Sequence, residues 1–222
     1  MVQKKYIDNV VKILLKHYSD KLHTELIHKN NTELFVAVLL SPQCNDNQVN
    51  KVTKELFIKY KSFNDYANTN LKTLYSYLKG LNYYKTKAKH LRESSKIILE
   101  KFNGEVPNTM DQLLELPGVG RKVANVILNE GFNIAKYGIA IDTHCIIVSQ
   151  RLGLSKNKTA DKIEIDLKNN VPEEYWKIIS NLFIALGRDT CTAKRKLCDR
   201  CILKNICPSS DNRINKINLK NK

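Results

Sequence analysis

No run of apolar residues in this chain approaches the roughly 20 needed to cross a membrane. Nor does any segment show the convincing apolar–polar alternation of a half-buried strand. The N-terminus, MVQKKYIDNVVKILLKHYSD, breaks its apolar residues with charge every few positions, unlike the apolar stretch of an export signal. No internal repeat of fixed period is found. Acidic residues are few: 22 Asp and Glu stand against 37 Lys and Arg, a formal charge of +15 in 222 residues. These absences exclude a membrane-spanning protein, a secreted disulfide scaffold and a repeat array. What remains is a soluble intracellular chain, expected in the cytoplasm (at the nucleoid in a bacterium), with its thiols reduced. Its length suits one domain or two small lobes around a real core.

The excess of positive charge points to a polyanion partner, because neutralising phosphates releases counterions and drives association. Lys, Asn and Ile are abundant together, however, as an A+T-rich genome would also produce, so charge alone does not decide.

Helical periodicity dominates. Tyr6, Val10, Ile13 and Leu14 line one face of a first helix, and Ala88, Leu91, Ser95, Ile98, Leu99 and Phe102 line another. The run from Leu34 to Leu40 reads as a buried helix capped by Asn31 or Thr32 and closed before Pro42. Tyr137 to Ile141 could pass for a strand in isolation. Breaks are expected at Ser41-Pro42, Lys79-Gly80, Asn103-Gly104, Pro117-Gly118, Gly131, Gly138, Gly153 and Pro172. Residues 208–222, rich in Lys and Asn, read as a mobile basic tail.

The most structured signal runs from Thr109 to Leu128. Thr109 and Gln112 can form a capping box ahead of a short helix. Leu116-Pro117-Gly118-Val119-Gly120 then leads into a helix burying Val123, Val126 and Ile127. Two glycines around one apolar residue permit a tight turn whose amides face outward at a helix N-terminus, where an anion binds without base contacts. A plain helical corner would use the same glycines. With Lys122 two residues after the last glycine, the pattern resembles a helix–hairpin–helix, a sequence-independent clamp on the DNA backbone. Gly118, Val119, Gly120 and Arg121 are its candidate contacts.

Lys122 could pair with a phosphate or act as a nucleophile, since an amine near a helix N-terminus and other cations is pushed towards its neutral, attacking form. Asp142, in Ala140-Ile141-Asp142-Thr143-His144, could be a simple N-cap. Four cysteines follow: Cys191, Cys198, Cys201 and Cys207, spaced C-x6-C-x2-C-x5-C. Four thiols suit zinc or an iron–sulfur cluster. Zinc ribbons usually bring two Cys-x2-Cys knuckles, and only one is present, so spacing leans slightly towards iron–sulfur. Cys44 and Cys145 read as small core residues. His17, His23, His28 and His90 show no ligand spacing and read as residues of solvated faces.

Taken in order, LLSPQCND, NYYKTKAKHL, FNGEVP, LPGVGRKVANVIL, IDTH, LGRDTC and the cysteine series resemble the endonuclease III family of DNA glycosylase/AP lyases. The resemblance spans about residue 20 to Cys207. It implies an all-α fold in two helical lobes with a DNA cleft between them: residues 24–134 bearing the hairpin, and residues 1–23 with 135–207 forming a cluster lobe. It implies Lys122 and Asp142 as catalytic residues and a 4Fe-4S cluster on the four cysteines. Gln43 would enter the gap left by an extruded nucleotide, with Tyr83 as the wedge; His144 would support the aspartate segment. Lys194, Arg195 and Lys196, in the first inter-cysteine loop, would face phosphates. The implied partner is double-stranded DNA with damaged bases or abasic sites, bound by a monomer. The implied reaction is excision of oxidised pyrimidines followed by β-elimination through a lysine Schiff base. Ile147 departs from the family's usual basic residue, and the 131–138 loop is about two residues longer. A monofunctional glycosylase, or a non-catalytic DNA-binding protein with a structural metal site, is the alternative.

Overall fold

The computed structural model describes residues 4–211. Among them are eleven α-helices and an isolated β-bridge between Cys191 and Lys196, and no strand. The chain divides into two compact units: Thr24–Ile134, and Met1–His23 together with Ala135–Lys222.

The Thr24–Ile134 unit is built around α2 (Asn31–Leu40), which has every residue from Leu34 to Leu40 buried. A helix apolar on all sides belongs at the centre of a core, which is why its sequence reads as one unbroken run. Its N-cap is Asn30, one residue earlier than expected; its side chain accepts the Glu33 N–H at 2.9 Å. Around α2 lie α3 (Asp46–Lys59), α4 (Phe63–Asn68), α5 (Leu71–Leu78), α6 (Tyr84–Phe102), α7 (Met110–Leu114) and α8 (Arg121–Phe132). The expected stripe of α6 is buried at Ala88, Leu91, Ser95 and Ile98. Gly131 does not break the chain; it lies inside α8. A Cβ there would meet Asn31 Oδ1 and Leu34 Cδ2, each at 3.0 Å, so the glycine allows α8 to press close against α2.

In the other unit, α1 (Lys4–His17) packs with α9 (Thr143–Arg151), α10 (Ala160–Asn170) and α11 (Trp176–Asp189). The buried face of α1 is Ile7, Val10, Val11 and Leu14, rotated slightly from the expected stripe. Tyr6 is only partly buried because its hydroxyl reaches out to donate to Leu152 O at 3.1 Å. Residues Tyr137 to Ile141 form no strand. Their backbone is anchored instead by Ser180 Oγ, which donates to Ala140 O at 2.7 Å. The first residues of the expected tail are packed: Ser210 is buried, and Lys196 Nζ donates to Ser209 O (3.2 Å) and pairs with Asp211 (2.7 Å). The remainder of that tail, residues 212–222, lies outside the described residues.

Candidate nucleic-acid interface and catalytic residues

The hairpin forms where expected. Thr109 caps α7 by accepting the Gln112 N–H. The reciprocal half of the box is replaced by a hydroxyl-to-amide contact, with Thr109 Oγ1 donating to Gln112 Oε1 at 2.9 Å. Pro117 O receives Ser94 Oγ at 2.9 Å, which ties the turn to α6. Gly118 has φ +83, and a Cβ on it would lie 2.6 Å from His90 Nδ1 and 3.0 Å from Leu39 Cδ1. Its glycine is therefore demanded by both backbone and packing. His90 is not on a solvated face; its ring braces the hairpin.

Gly120 is different. It is the N-cap of α8 with φ −96 and ψ 175, which any residue adopts, and among the described residues no atom beyond its chain neighbours lies within 4 Å of where a Cβ would stand. No packing contact among the described residues requires glycine here; close approach of an outside group would. No side chain caps α8, so its first amides and its dipole face an open, exposed turn. Val119 is buried and its N–H is committed to Leu116 O at 3.0 Å, so it anchors the turn from beneath. Arg121 is exposed on the first turn of α8. Lys122, next along, is half-buried, and no group among the described residues engages its ammonium.

Gln43 also belongs to this unit. It is exposed and left-handed (φ 59), in the turn between α2 and α3. Asn82 Nδ2 donates to Gln43 O at 2.6 Å, and Tyr83, itself left-handed (φ 56), is 66% exposed. Two large, exposed side chains, each on a left-handed residue, thus sit on turns tied to one another.

Asp142, in the other unit, is the N-cap of α9; its Oδ1 accepts the Cys145 N–H at 2.8 Å. That leaves Oδ2 of a half-buried carboxylate uncommitted to the cap. His144 packs on α11 at Gly187, where a Cβ would meet His144 Nδ1 at 2.7 Å. Cys145 is fully buried, with its sulfur 3.6 Å from Ser180 O, as a core residue. Ile147 is half-buried.

Cys191, Cys198, Cys201 and Cys207 line one pocket with Arg151, Thr190 and Ser210. Among the described residues no three His, Cys, Asp or Glu side chains close around a point as a single-ion site would. Burial pushes the Cys201 and Cys207 thiols up, and the neighbouring sulfurs add to it. Crowding of that kind is relieved when a cation takes the sulfurs as thiolates. Among the described residues, buried Ser210 Oγ has no partner, and Thr190 Oγ1, beside Cys201, has no well-formed hydrogen bond. Both could donate to thiolate or sulfide, so the donor set fits a sulfur-rich metal group. Arg151 Nη1 lies 3.3 Å from Cys191 Sγ and donates to Cys191 O (3.1 Å) and Thr192 O (2.8 Å), fixing the start of the loop. Lys194 and Arg195 are exposed on that loop, whereas Lys196 is held by Asp211.

Lys87, Asn82 and Arg151 were not singled out in the sequence. A signal existed for Lys87: it shares a helical face with Leu91, Ser94 and Ile98, so a lysine stood in a buried register.

Comparison with known proteins gives a consistent answer. A family model for HhH-GPD superfamily base excision DNA repair proteins matches residues 36–173. Endonuclease III of Bacillus subtilis (strain 168) is 43% identical over 190 residues, 85% of this chain and 86% of that protein. Endonuclease III of Synechocystis is 38% identical over 210 residues, 95% of each. A solved structure of a trapped endonuclease III–DNA covalent intermediate, in an estranged-adenine complex, superposes with a TM-score of 0.89 at 38% identity. The match covers 96% of this chain and all of that one.

Proposed function

Because this chain belongs to the HhH-GPD superfamily of base excision DNA repair proteins, and within it to the endonuclease III family, we propose that Lys122 and Asp142 carry out its chemistry on damaged DNA. It is a DNA glycosylase of base excision repair with the AP lyase activity of its family. The observation that carries the residue assignment is the hairpin. An open glycine amide turn, suited to a phosphodiester, is followed two residues later by a lysine that no group among the described residues engages.

The chemistry follows from the residue types. A base inside a duplex is out of reach, so the nucleotide is extruded. Gln43 fills the space left behind, and Tyr83 wedges the stack. Lys122 Nζ, as a neutral amine, forms a bond to C1′ while the C1′–N glycosidic bond breaks and the base leaves with its electrons. The Asp142 carboxylate stabilises the positive charge that develops on the sugar. Loss of a proton and ring opening give the Schiff base. Removal of a C2′ proton then expels the 3′ oxygen, cleaving the strand 3′ to the lesion. A water nucleophile would stop at the abasic site, so the amine is what adds the lyase step. Oxidised pyrimidines are the proposed lesions, duplex DNA the partner, a monomer the active form and the cytoplasm the compartment.

Cys191, Cys198, Cys201 and Cys207 would hold a 4Fe-4S cluster. When bound, the cluster supplies a rigid, closed thiolate cross-link rather than reaction chemistry. Arg151 and that cross-link together would hold the loop that presents Lys194 and Arg195.

Borohydride trapping on abasic-site duplex DNA tests the assignment. Wild-type protein should give a covalent adduct, and Lys122→Ala should give none while still binding DNA. An undiminished adduct from Lys122→Ala removes the lysine from the mechanism. Protein purified without added zinc should contain iron and sulfide in equal amounts.

A further inference from the structure

We propose that Lys87, assisted by Asn82, is a positioning residue for entry into the duplex, locking the Gln43 turn in its inserting conformation before DNA arrives. The inference rests on the assignment of Gln43 to the gap left by the extruded nucleotide.

Lys87 lies in the first turn of α6 and is only 7% exposed. Its Nζ donates to Pro42 O at 2.8 Å and lies 3.1 Å from Cys44 Sγ, so it grips the residues on both sides of Gln43. Among the described residues no carboxylate pairs with it. Burying an ammonium against a carbonyl and a sulfur alone is unfavourable for folding, and an apolar side chain of similar length would fill the space without that penalty. Stability therefore does not account for the lysine.

What it secures is a strained turn. Gln43 has φ 59, a conformation that non-glycine residues avoid, and its own carbonyl receives Asn82 Nδ2 at 2.6 Å. Residues 42, 43 and 44 thus each take one polar contact from residues 82–87. Such a conformation persists only where its surroundings over-determine it. The Gln43 side chain is the part left outside this grip, exposed and with no partner among the described residues. Tyr83 projects from the same bracing segment, so both exposed side chains are set at a fixed separation. Inserting a pre-ordered pair avoids ordering the turn at the moment of binding. A single-stranded substrate has no stack to enter and gains nothing from the lock.

The experiment measures borohydride-trapping rates on one abasic strand, alone and paired, and takes the duplex-to-single-strand ratio. Lys87→Met and Gln43→Ala should lower the ratio tenfold or more, and Asn82→Ala about threefold or more. In the duplex, 2-aminopurine opposite the abasic site should brighten when wild-type protein inserts, and much less with each variant. A folded Lys87→Met with a ratio within twofold of wild type overturns the proposal. So does a loss equal on both substrates, which would mark a general structural defect. Should Lys87→Met fail to fold, the exposed Asn82→Ala decides: an unchanged ratio and unchanged 2-aminopurine signal overturn it. Wild-type protein that traps neither substrate overturns the lyase assignment as well.

Discussion

Alanine at Gly120 and alanine at Gly118 should have opposite consequences, although the two glycines flank a single residue. At Gly118 the methyl group meets a left-handed backbone, φ +83, and lands 2.6 Å from His90 Nδ1. The backbone penalty is roughly 1–2 kcal/mol and overpacking adds about 1–3 kcal/mol, so Gly118→Ala should lose about 2–5 kcal/mol of stability. At Gly120 the added Cβ meets no atom within 4 Å. Alanine is a poorer N-cap than glycine by roughly 0.5–1 kcal/mol, and the stiffer unfolded chain returns about 0.4–1 kcal/mol. Those terms nearly cancel, leaving Gly120→Ala within about 1 kcal/mol of wild type. DNA affinity should behave the other way for this variant. A methyl group in the path of a phosphate displaces charge-assisted hydrogen bonds of about 1.5–3 kcal/mol each, so binding should weaken about 10- to 100-fold. Urea denaturation and fluorescence anisotropy on a duplex with an uncleavable abasic analogue, at one fixed salt concentration, measure the two quantities. Wild-type affinity in Gly120→Ala refutes phosphate approach at this turn. Native stability in Gly118→Ala refutes the packing described for His90.

Asp142→Asn should retain the cap of α9, since Asn caps as well as Asp, so stability should stay within about 0.5 kcal/mol while base excision falls at least about 100-fold, as for loss of an electrostatic stabiliser. Unchanged single-turnover excision removes the carboxylate from the mechanism. Lys194→Ala and Arg195→Ala should each lower the slope of log affinity against log salt by up to about 0.9, whereas Lys196→Ala, held by Asp211 at 2.7 Å, should change it less. Equal changes at all three positions would show that the Asp211 pairing does not matter. Tyr66 is 1% exposed, and burial, followed by the nearby Glu33 and Asp65 charges, pushes its hydroxyl well above the ordinary range. The stability it contributes is fully present below its unfolded value of about 10 and is lost as pH rises beyond that, by about 1.4 kcal/mol per unit. Tyr66→Phe should flatten this alkaline loss in denaturant melts between pH 9 and 11; an unchanged slope contradicts the burial effect.

The helices were legible where apolar residues recur with one period, as in α1 and α6, and the central α2 was legible as a continuous run. Sequence patterns gave less where a contact depends on a neighbour distant in the chain. Gly131 looked like a break because helix-interior glycine is disfavoured locally, yet its missing side chain is what lets α8 meet Asn31 and Leu34. His90 looked solvated because nothing near it in sequence announces Gly118. The polar residues on the buried face of α6 show the limit most clearly. Lys87, His90 and Ser94 recur at i, i+3 and i+7 and brace Pro42, Gly118 and Pro117. Hydrophobic periodicity places Lys87 and Ser94 in a buried register but is blind to the distant partners that an ammonium, an imidazole and a hydroxyl find there.

Several candidate site residues also have an ordinary local role. Asp142 is an N-cap, Gly118 is a packing glycine, and the turn at Gln43 is held from within the protein. These local duties are the means by which the reacting and contacting groups are held still. The bond from Cys145 N–H to Asp142 Oδ1 orients the carboxylate and leaves Oδ2 uncommitted to the cap. The grip of Lys87 and Asn82 fixes the Gln43 backbone, while its exposed side-chain amide has no partner among the described residues. Gly120 differs: it caps α8 and its carbonyl accepts the Ala124 N–H at 2.9 Å, but no packing contact among the described residues explains its missing side chain, so this is the position where an outside backbone should come closest.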